Sequence, residues 1–233
     1  MAIEFISTIS EGNKISGILH LPRNPSPPCV ICSHGLFSSK ESEKLLEIGE
    51  TFSAQGIAVF RYDHQGCGES TGDISTTTTW SRLQDLTAMV DLALRHPLVG
   101  NRLALLGSSM GGFISILKAA TDDRIRVLAL WATPARLERN TETTDEETLL
   151  HRIFYEDATQ YDAAKAIKRL HNCLLLHGEC DETVPLAHAR ELYHAAKTPK
   201  HLEVFPGGDH RFTNPQDRHR AILLSLAWFQ KYL

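Results

Sequence analysis

The sequence predicts an α/β fold, in which a mostly parallel sheet carries helices on both faces. First, strand-like and helix-like segments alternate along the 233 residues after an antiparallel start, which is typical of such sheets. Second, runs such as 29–33 and 57–62 are mainly apolar, as expected for strands that are buried on both faces. Third, the unusual polar residues follow these strands, at the edge where parallel sheets bind ligands.

The individual elements follow from hydrophobic periodicity and from turn and capping residues. Apolar and β-branched runs predict strands at residues 3–9, 14–21, 29–33, 57–62, 102–106, 126–132, 173–177 and 201–205. Helical spacing predicts helices at residues 38–55, 76–96, 110–120, 163–170, 186–196 and 215–233. Gly56 and Pro97 mark the ends of two of these helices.

The domain organisation is predicted to be simple, because no linker rich in Pro, Gly or Ser divides the chain and no internal repeat occurs. We predict one domain over residues 1–233. Residues 134–160 stand apart, since they are rich in Thr, Glu, Asp and Arg and contain only a short apolar patch. They predict a short lid insertion, in which the acidic run 142–147 is most simply a solvated face.

Composition argues against several classes of function. The chain has 24 Lys and Arg against 28 Asp and Glu, a net charge of −4, so no nucleic-acid partner is expected. The 12 histidines are scattered along the chain and no H-E-x-x-H pattern occurs, so neither a metal nor a cofactor is expected. No segment approaches 18 apolar residues, and residues 1–5 lack signal-peptide features, so no membrane association is expected.

The cysteines predict free thiols in a reducing, cytoplasmic environment. Their number is odd and their spacings suggest no disulfide framework. Cys29 and Cys32 lie in one predicted strand at odd spacing, so they are expected on opposite faces of the sheet.

A serine lies in a sharp turn between a strand and a helix. The pattern Gly107-Ser108-Ser109-Met110-Gly111 follows an apolar strand and opens an apolar helix, which is the context of a nucleophile elbow. Gly107 and Gly111 are expected there because strand and helix approach too closely for side chains. Ser109 is therefore the candidate nucleophile, and the alternative is a serine that merely caps the helix.

A serine hydroxyl is a weak nucleophile, so it needs a base, an orienting acid and donors for the oxyanion. His210 is the best candidate base, because it follows the last strand in a glycine-rich loop; His177 is its nearest rival. Asp181 follows the preceding strand and is the candidate acid. Its alternatives are Glu179, Glu182 and Asp209. The chain order Ser, Asp, His is the one expected for this elbow.

The oxyanion donors are expected from the loop after the third strand and from the elbow helix. The segment His34-Gly35-Leu36-Phe37 fits the first, so the N–H of Leu36 would pair with the N–H of Met110 around a carbonyl oxygen. Phe37 and Trp131 are the candidate substrate-binding side chains. His34 is interpreted as an anchor of the loop rather than as a base.

Together these motifs resemble the α/β-hydrolase superfamily. The segments 34–40, 61–70, 107–112, 177–185 and 208–210 are similar to serine hydrolases that include feruloyl and cinnamoyl esterases and serine aminopeptidase-like proteins. The resemblance covers nearly the whole chain. It implies an eight-stranded sheet, a triad of Ser109, Asp181 and His210, and no cofactor.

The sequence therefore predicts hydrolysis of a carboxylic ester of small to medium size through an acyl-serine intermediate, with a small acyl compound as the partner. A thioesterase, an amidase or an aminopeptidase would use the same triad. An aminopeptidase would also need acidic groups for the substrate ammonium, for which the lid offers residues 142–147 and Asp157. A non-catalytic binding protein on the same fold is the remaining alternative.

Overall fold

A computed structural model describes residues 1–137, 150 and 152–233. Within them lie the strands β1 (Ala2–Ser10), β2 (Asn13–Leu21), β3 (Cys29–Ser33), β4 (Ala58–Tyr62), β5 (Leu103–Ser108), β6 (Ile125–Trp131), β7 (Cys173–Gly178) and β8 (Lys200–Phe205). They form one sheet in the order β1-β2-β4-β3-β5-β6-β7-β8. β2 pairs antiparallel with β1 and β4, and all other neighbours are parallel. The predicted mostly parallel, eight-stranded sheet is confirmed.

Helices cover both faces of this sheet. The described helices are α1 (Glu43–Ala54), α2 (Thr79–Arg95), α3 (Met110–Ala119), α4 (Arg152–Ala158), α5 (Ala163–Ala166), α6 (Leu186–Ala195) and α7 (Pro215–Tyr232). α1 and α7 bury their apolar residues in one layer against the sheet, while α2 and α3 contribute to the layer on the other face. Cys29 belongs to one layer and Cys32 to the other, as their odd spacing predicts.

The first helix begins later than predicted, at Glu43 rather than at residue 38. The reason is a buried ion pair. Lys40 is 1% exposed, its Nζ donates to Oδ2 of Asp63 at 2.7 Å, and its backbone N–H donates to Oδ1 at 2.7 Å. Since Asp63 follows β4, this contact holds residues 38–42 against the edge of the sheet as a loop.

Two smaller differences concern helix ends and strand ends. The helix predicted for 163–170 is divided, because α5 ends at Ala166 and a 3₁₀ turn follows over Ile167–Arg169. β5 runs two residues further than predicted and ends at Ser108, directly before the elbow serine. Among the helices of the described residues, no helix combines the length and apolar character that crossing a membrane requires.

Candidate active site

The turn between β5 and α3 has the geometry of a nucleophile elbow. Ser109 adopts φ 55° and ψ −123°, a conformation that costs a non-glycine residue about 1–3 kcal/mol. Its N–H donates to the Trp131 carbonyl at 2.8 Å, and its carbonyl accepts from the Gly112 N–H at 2.9 Å. These bonds tie the strained residue to β6 on one side and to α3 on the other.

The glycines beside Ser109 are required by close packing, as predicted. A Cβ atom at Gly107 would overlap the carbonyl of Gly111. A Cβ atom at Gly111 would overlap the carbonyl of Ser33 on β3. Any side chain at these positions would therefore push α3 away from the sheet and move the serine.

His210 and Asp181 meet at the ends of β8 and β7. Nδ1 of His210 lies 2.9 and 2.8 Å from the two carboxylate oxygens of Asp181. The Asp181 side chain is fully buried, and its Oδ1 also accepts the N–H groups of Thr183 at 2.9 Å and Val184 at 2.7 Å. Because Nδ1 faces a carboxylate, it carries the proton, and Nε2 keeps the lone pair that a base needs.

His177 is a third polar side chain at this carboxylate. Its Nε2 lies 3.2 Å from Oδ2 of Asp181 and 2.8 Å from the Val184 carbonyl. Both neighbours are acceptors, so Nε2 carries a proton and donates. Burial alone would raise the pKa of Asp181, but the hydrogen bonds from His177, His210 and the Val184 N–H outweigh burial and hold that pKa well below its usual value. His177 thus lies behind the acid, and His210 is the histidine whose Nδ1 faces it.

The other acidic residues of these two loops contact backbone or hydroxyl groups rather than the His210 ring. Glu179 and Glu182 are exposed and accept backbone N–H groups of the histidine loop, at 3.2 and 3.5 Å. Asp209 accepts the N–H and the hydroxyl of a threonine four residues further on. In the part of the chain that the structure describes, Asp181 is therefore the acid that contacts the imidazole.

Lys44 on α1 contacts the residue directly before the elbow serine. Its partly buried Nζ donates to Oγ of Ser108 at 2.7 Å. Burial lowers the pKa of Lys44 to about 8, although the nearby charge of Asp181 acts in the opposite direction. No hydrogen bond joins the Ser109 hydroxyl to His210 among the described residues, and such bonds often form only when substrate binds.

The loop after β3 lies directly over the serine. A Cβ atom at Gly35 would lie 3.5 Å from Cβ of Ser109. Nε2 of His34 accepts the His64 N–H at 3.0 Å, so Nδ1 carries the proton and donates to the Gly35 carbonyl at 2.6 Å. This carbonyl shares a peptide group with the Leu36 N–H, which therefore points the opposite way. Burial lowers the pKa of His34 and keeps it neutral, so it anchors the loop as the sequence predicts.

The two predicted substrate-binding side chains differ in exposure. Phe37 is partly buried and packs against the apolar layer that contains α2 and α3. Trp131 is fully buried; its Nε1 donates to Ser225 Oγ on α7 at 3.0 Å, and its ring lies 5.0 Å from that of Phe212. The prediction that Trp131 lines the pocket is therefore wrong, because β6 directs this side chain to the face covered by α1 and α7.

Most of the predicted lid, including the acidic run 142–147, falls on residues 138–149 and 151, outside the described residues. The described helix α4 contains Asp157, whose Oδ2 accepts the N–H groups of Thr79 at 2.7 Å and Trp80 at 3.3 Å. These are the first N–H groups of α2, where the helix dipole favours a negative charge. Asp157 is thus engaged in capping a helix rather than placed to bind a substrate ammonium.

Replacing Asp157 by alanine is expected to lower the free energy of unfolding by about 1 kcal/mol, because two N–H groups of α2 lose their acceptor. Urea unfolding followed by circular dichroism would measure this change. The neighbouring Glu156→Gln is the matched control, since Glu156 forms an exposed ion pair with Arg152 and is expected to contribute little. Equal stability of the Asp157 variant and the wild type would contradict the capping role.

Two cations near the site are absent from the sequence-based candidates, namely Lys44 and Arg82. Arg82 is fully buried on α2, four residues before Leu86 and seven before Met89, which are also buried. A charged residue at helical spacing within an apolar stripe is the signal that identifies such a position. Lys44 carries no comparable signal.

The comparisons with known proteins identify the family and the fold of this chain. The sequence profile of the family described as "Serine aminopeptidase, S33" matches residues 25–161, more than half of the chain. The chain belongs to this S33 family. The S33 protein is 26% identical over 223 residues to the mouse palmitoyl-protein thioesterase ABHD10, covering 84% of this chain and 73% of the relative. It is 30% identical over 220 residues to the uncharacterized protein YfhR of Escherichia coli K12, covering 90% and 72%.

Solved structures show how far the fold of the S33 protein is shared. Est1E from Butyrivibrio proteoclasticus, in complex with ferulic acid, superposes with a TM-score of 0.85 at 21% identity. The match covers 97% of this chain and 98% of Est1E. The protein is therefore an α/β hydrolase with esterase-like and thioesterase-like relatives.

Proposed function

We propose that this S33 protein is a serine hydrolase that cleaves carboxylic esters of small to medium size through an acyl-Ser109 intermediate. His210 is the general base and then the general acid, and Asp181 orients it. The N–H groups of Leu36 and Met110 form the oxyanion hole. The substrate size follows from the polar character of residues 134–160, which offer little apolar surface for a long acyl chain.

The observation that carries the proposal is the contact of His210 Nδ1 with both oxygens of Asp181, at 2.9 and 2.8 Å, at the sheet edge where the strained Ser109 lies. A neutral imidazole held by a carboxylate in this tautomer is the arrangement that activates a serine hydroxyl. The loop of Gly35, packed on Ser109, supports the assignment of the oxyanion donors.

The proposed reaction proceeds in two halves. Ser109 Oγ attacks the carbonyl carbon while Nε2 of His210 takes its proton, and the carbonyl oxygen becomes an oxyanion between the Leu36 and Met110 N–H groups. The tetrahedral intermediate then expels the alcohol, which receives the proton from His210. A water molecule, deprotonated by the same nitrogen, then attacks the acyl-serine. The second tetrahedral intermediate releases the carboxylic acid as His210 returns the proton to Ser109 Oγ, which restores the hydroxyl.

A thioesterase is the second candidate, because the mouse and rat relatives are named palmitoyl-protein thioesterases. The same triad would attack a thioester without change. An aminopeptidase is less well supported in spite of the family's name, since Asp157 caps α2.

Labelling and a substrate panel test the proposal. A fluorophosphonate probe is expected to modify the protein once, and mass spectrometry should find the adduct on Ser109. The panel compares p-nitrophenyl esters of increasing acyl length with acyl-thioesters and aminoacyl-p-nitroanilides. We expect a burst of nitrophenol and the highest kcat/KM for short or medium esters. Lack of labelling, an adduct on another serine, or faster cleavage of anilides than of esters would refute the proposal.

The activity is expected to fall as the pH is lowered, because protonation of Nε2 of His210 removes the lone pair that accepts the serine proton. Asp181 remains ionised throughout the measured range, because its pKa is held well below its usual value, so protonation of Asp181 does not contribute to the fall in activity. The measurement is kcat/KM for p-nitrophenyl butyrate between pH 5 and 8. A profile that stays flat over this range would exclude His210 as the base.

A further inference from the structure

A buried arginine reaches the loop that carries the Leu36 N–H. Arg82 on α2 is 0% exposed, and its Nη2 donates to the Leu36 carbonyl at 2.8 Å. Its Nε donates to Oγ1 of Thr77 at 3.1 Å, and Nη2 also lies 3.5 Å from Sγ of Cys67. The guanidinium therefore joins the start of α2 to the loop after β3.

This guanidinium forms no ion pair within the described part of the chain. Within residues 1–137, 150 and 152–233, no carboxylate oxygen lies within 4.0 Å of it, and its buried Nη1 has no hydrogen-bond partner. The nearby carboxylate of Asp85, on the same helix, instead accepts from the Gln65 N–H at 2.9 Å and contacts Nδ1 of His64 at 3.2 Å. Burying an unpaired cation is unfavourable, and packed apolar residues of similar volume are often at least as stable at such positions. Stability alone therefore does not account for an arginine here.

The position of the guanidinium relative to the loop after β3 explains why an arginine occurs at this buried position. Two successive carbonyls of the loop are bound by buried side chains: His34 holds that of Gly35, and Arg82 holds that of Leu36. The Gly35 carbonyl shares its peptide group with the Leu36 N–H, and the Leu36 carbonyl belongs to the next peptide group. Both peptide groups that flank the Cα of Leu36 are therefore held before any substrate binds. A positive charge that water does not screen also favours the negative oxygen that develops beside this loop.

We propose that Arg82 is a positioning residue for the oxyanion hole, holding the Leu36 carbonyl so that the Leu36 N–H is preorganised for the transition state. This proposal rests on the proposed function, since it assigns Leu36 to the hole. A residue in this role acts on the transition state more than on bound substrate. Its loss therefore lowers kcat and leaves KM nearly unchanged.

Two substitutions at Arg82 separate this role from a structural one. Arg82→Met keeps the length and the volume but removes the charge and the donor, and it is expected to fold. We expect kcat for p-nitrophenyl butyrate to fall about 10- to 100-fold with KM within about threefold, less than the loss on deleting an oxyanion donor itself. Arg82→Lys retains one charged donor, so its kcat should lie between those of Arg82→Met and the wild type. Arg124→Met is the control, because Arg124 pairs with Asp122 directly before β6, at the end of that strand opposite to Trp131, and its loss should leave kcat unchanged.

Hydrogen exchange of peptides that contain residues 34–38, followed by mass spectrometry, measures the anchoring without requiring activity. Faster exchange in Arg82→Met than in Arg124→Met is the expected result. A kcat of Arg82→Met within twofold of the wild type, or a loss expressed only in KM or in melting temperature, would overturn the proposal. If the wild type neither labels nor hydrolyses esters, the proposed function and the oxyanion role both fall, and the exchange data still show whether Arg82 anchors the loop.

Discussion

Replacing Ser109 by alanine is expected to lower kcat for ester hydrolysis by about 10⁴- to 10⁶-fold. Without the hydroxyl no acyl-enzyme forms, and the remaining catalysis comes from binding and the oxyanion donors alone. The fold should be retained, because the backbone bonds of residue 109 to Trp131 and Gly112 do not involve its side chain. Steady-state kinetics with p-nitrophenyl butyrate, together with circular dichroism, would measure both effects.

The matched control for this substitution is Ser7→Ala, on the exposed side of β1. Its kinetics and its labelling by a fluorophosphonate should equal those of the wild type. Turnover or labelling that survives in Ser109→Ala would show that another residue is the nucleophile.

Asp181→Asn is expected to lower kcat by about 10⁴-fold while the protein remains folded. An asparagine amide can donate to Nδ1 of His210, which favours the tautomer that carries its proton on Nε2. In that tautomer Nε2 cannot accept the serine proton, so the base is lost although the ring stays in place. The measurement is kcat and KM for the same ester at pH 7.5.

The chain provides two controls for this change in the same loop, Glu179→Gln and Glu182→Gln. Both side chains are exposed and contact backbone N–H groups rather than the imidazole ring. Their kcat should stay within about threefold of the wild type, since exposed contacts contribute little. A loss in either control as large as that in Asp181→Asn would mean that the histidine loop, and not the acid, had been disturbed.

The sequence predicts the strands well because parallel strands buried on both faces are short apolar runs with clear ends. The same property indicates the site, since Ser109 and Asp181 each follow such a run, while His210 follows the partly exposed edge strand β8. Where chain order and strand direction decide where a residue lies, local sequence patterns are sufficient to predict its position.

The predictions that are wrong or missing concern positions that are decided by contacts outside the local sequence. A run such as 125–131 contains no polar alternation, so nothing in it tells which face Trp131 joins, and the structure places it under α7. The start of α1 depends on the pairing of Lys40 with Asp63, 23 residues away. Arg82 and Lys44 likewise acquire their roles from distant parts of the chain, the first from the Leu36 carbonyl and the second from Ser108.

All of the segments proposed to carry the chemistry extend from strand ends, and none of them belongs to residues 134–160. These segments are the elbow, the acid loop, the histidine loop and the loop over the serine. The proposed bond-breaking machinery and the segment expected to choose the substrate are thus separate modules of one chain. Exchanging that insertion between S33 relatives should alter which acyl groups are accepted without rebuilding the chemistry.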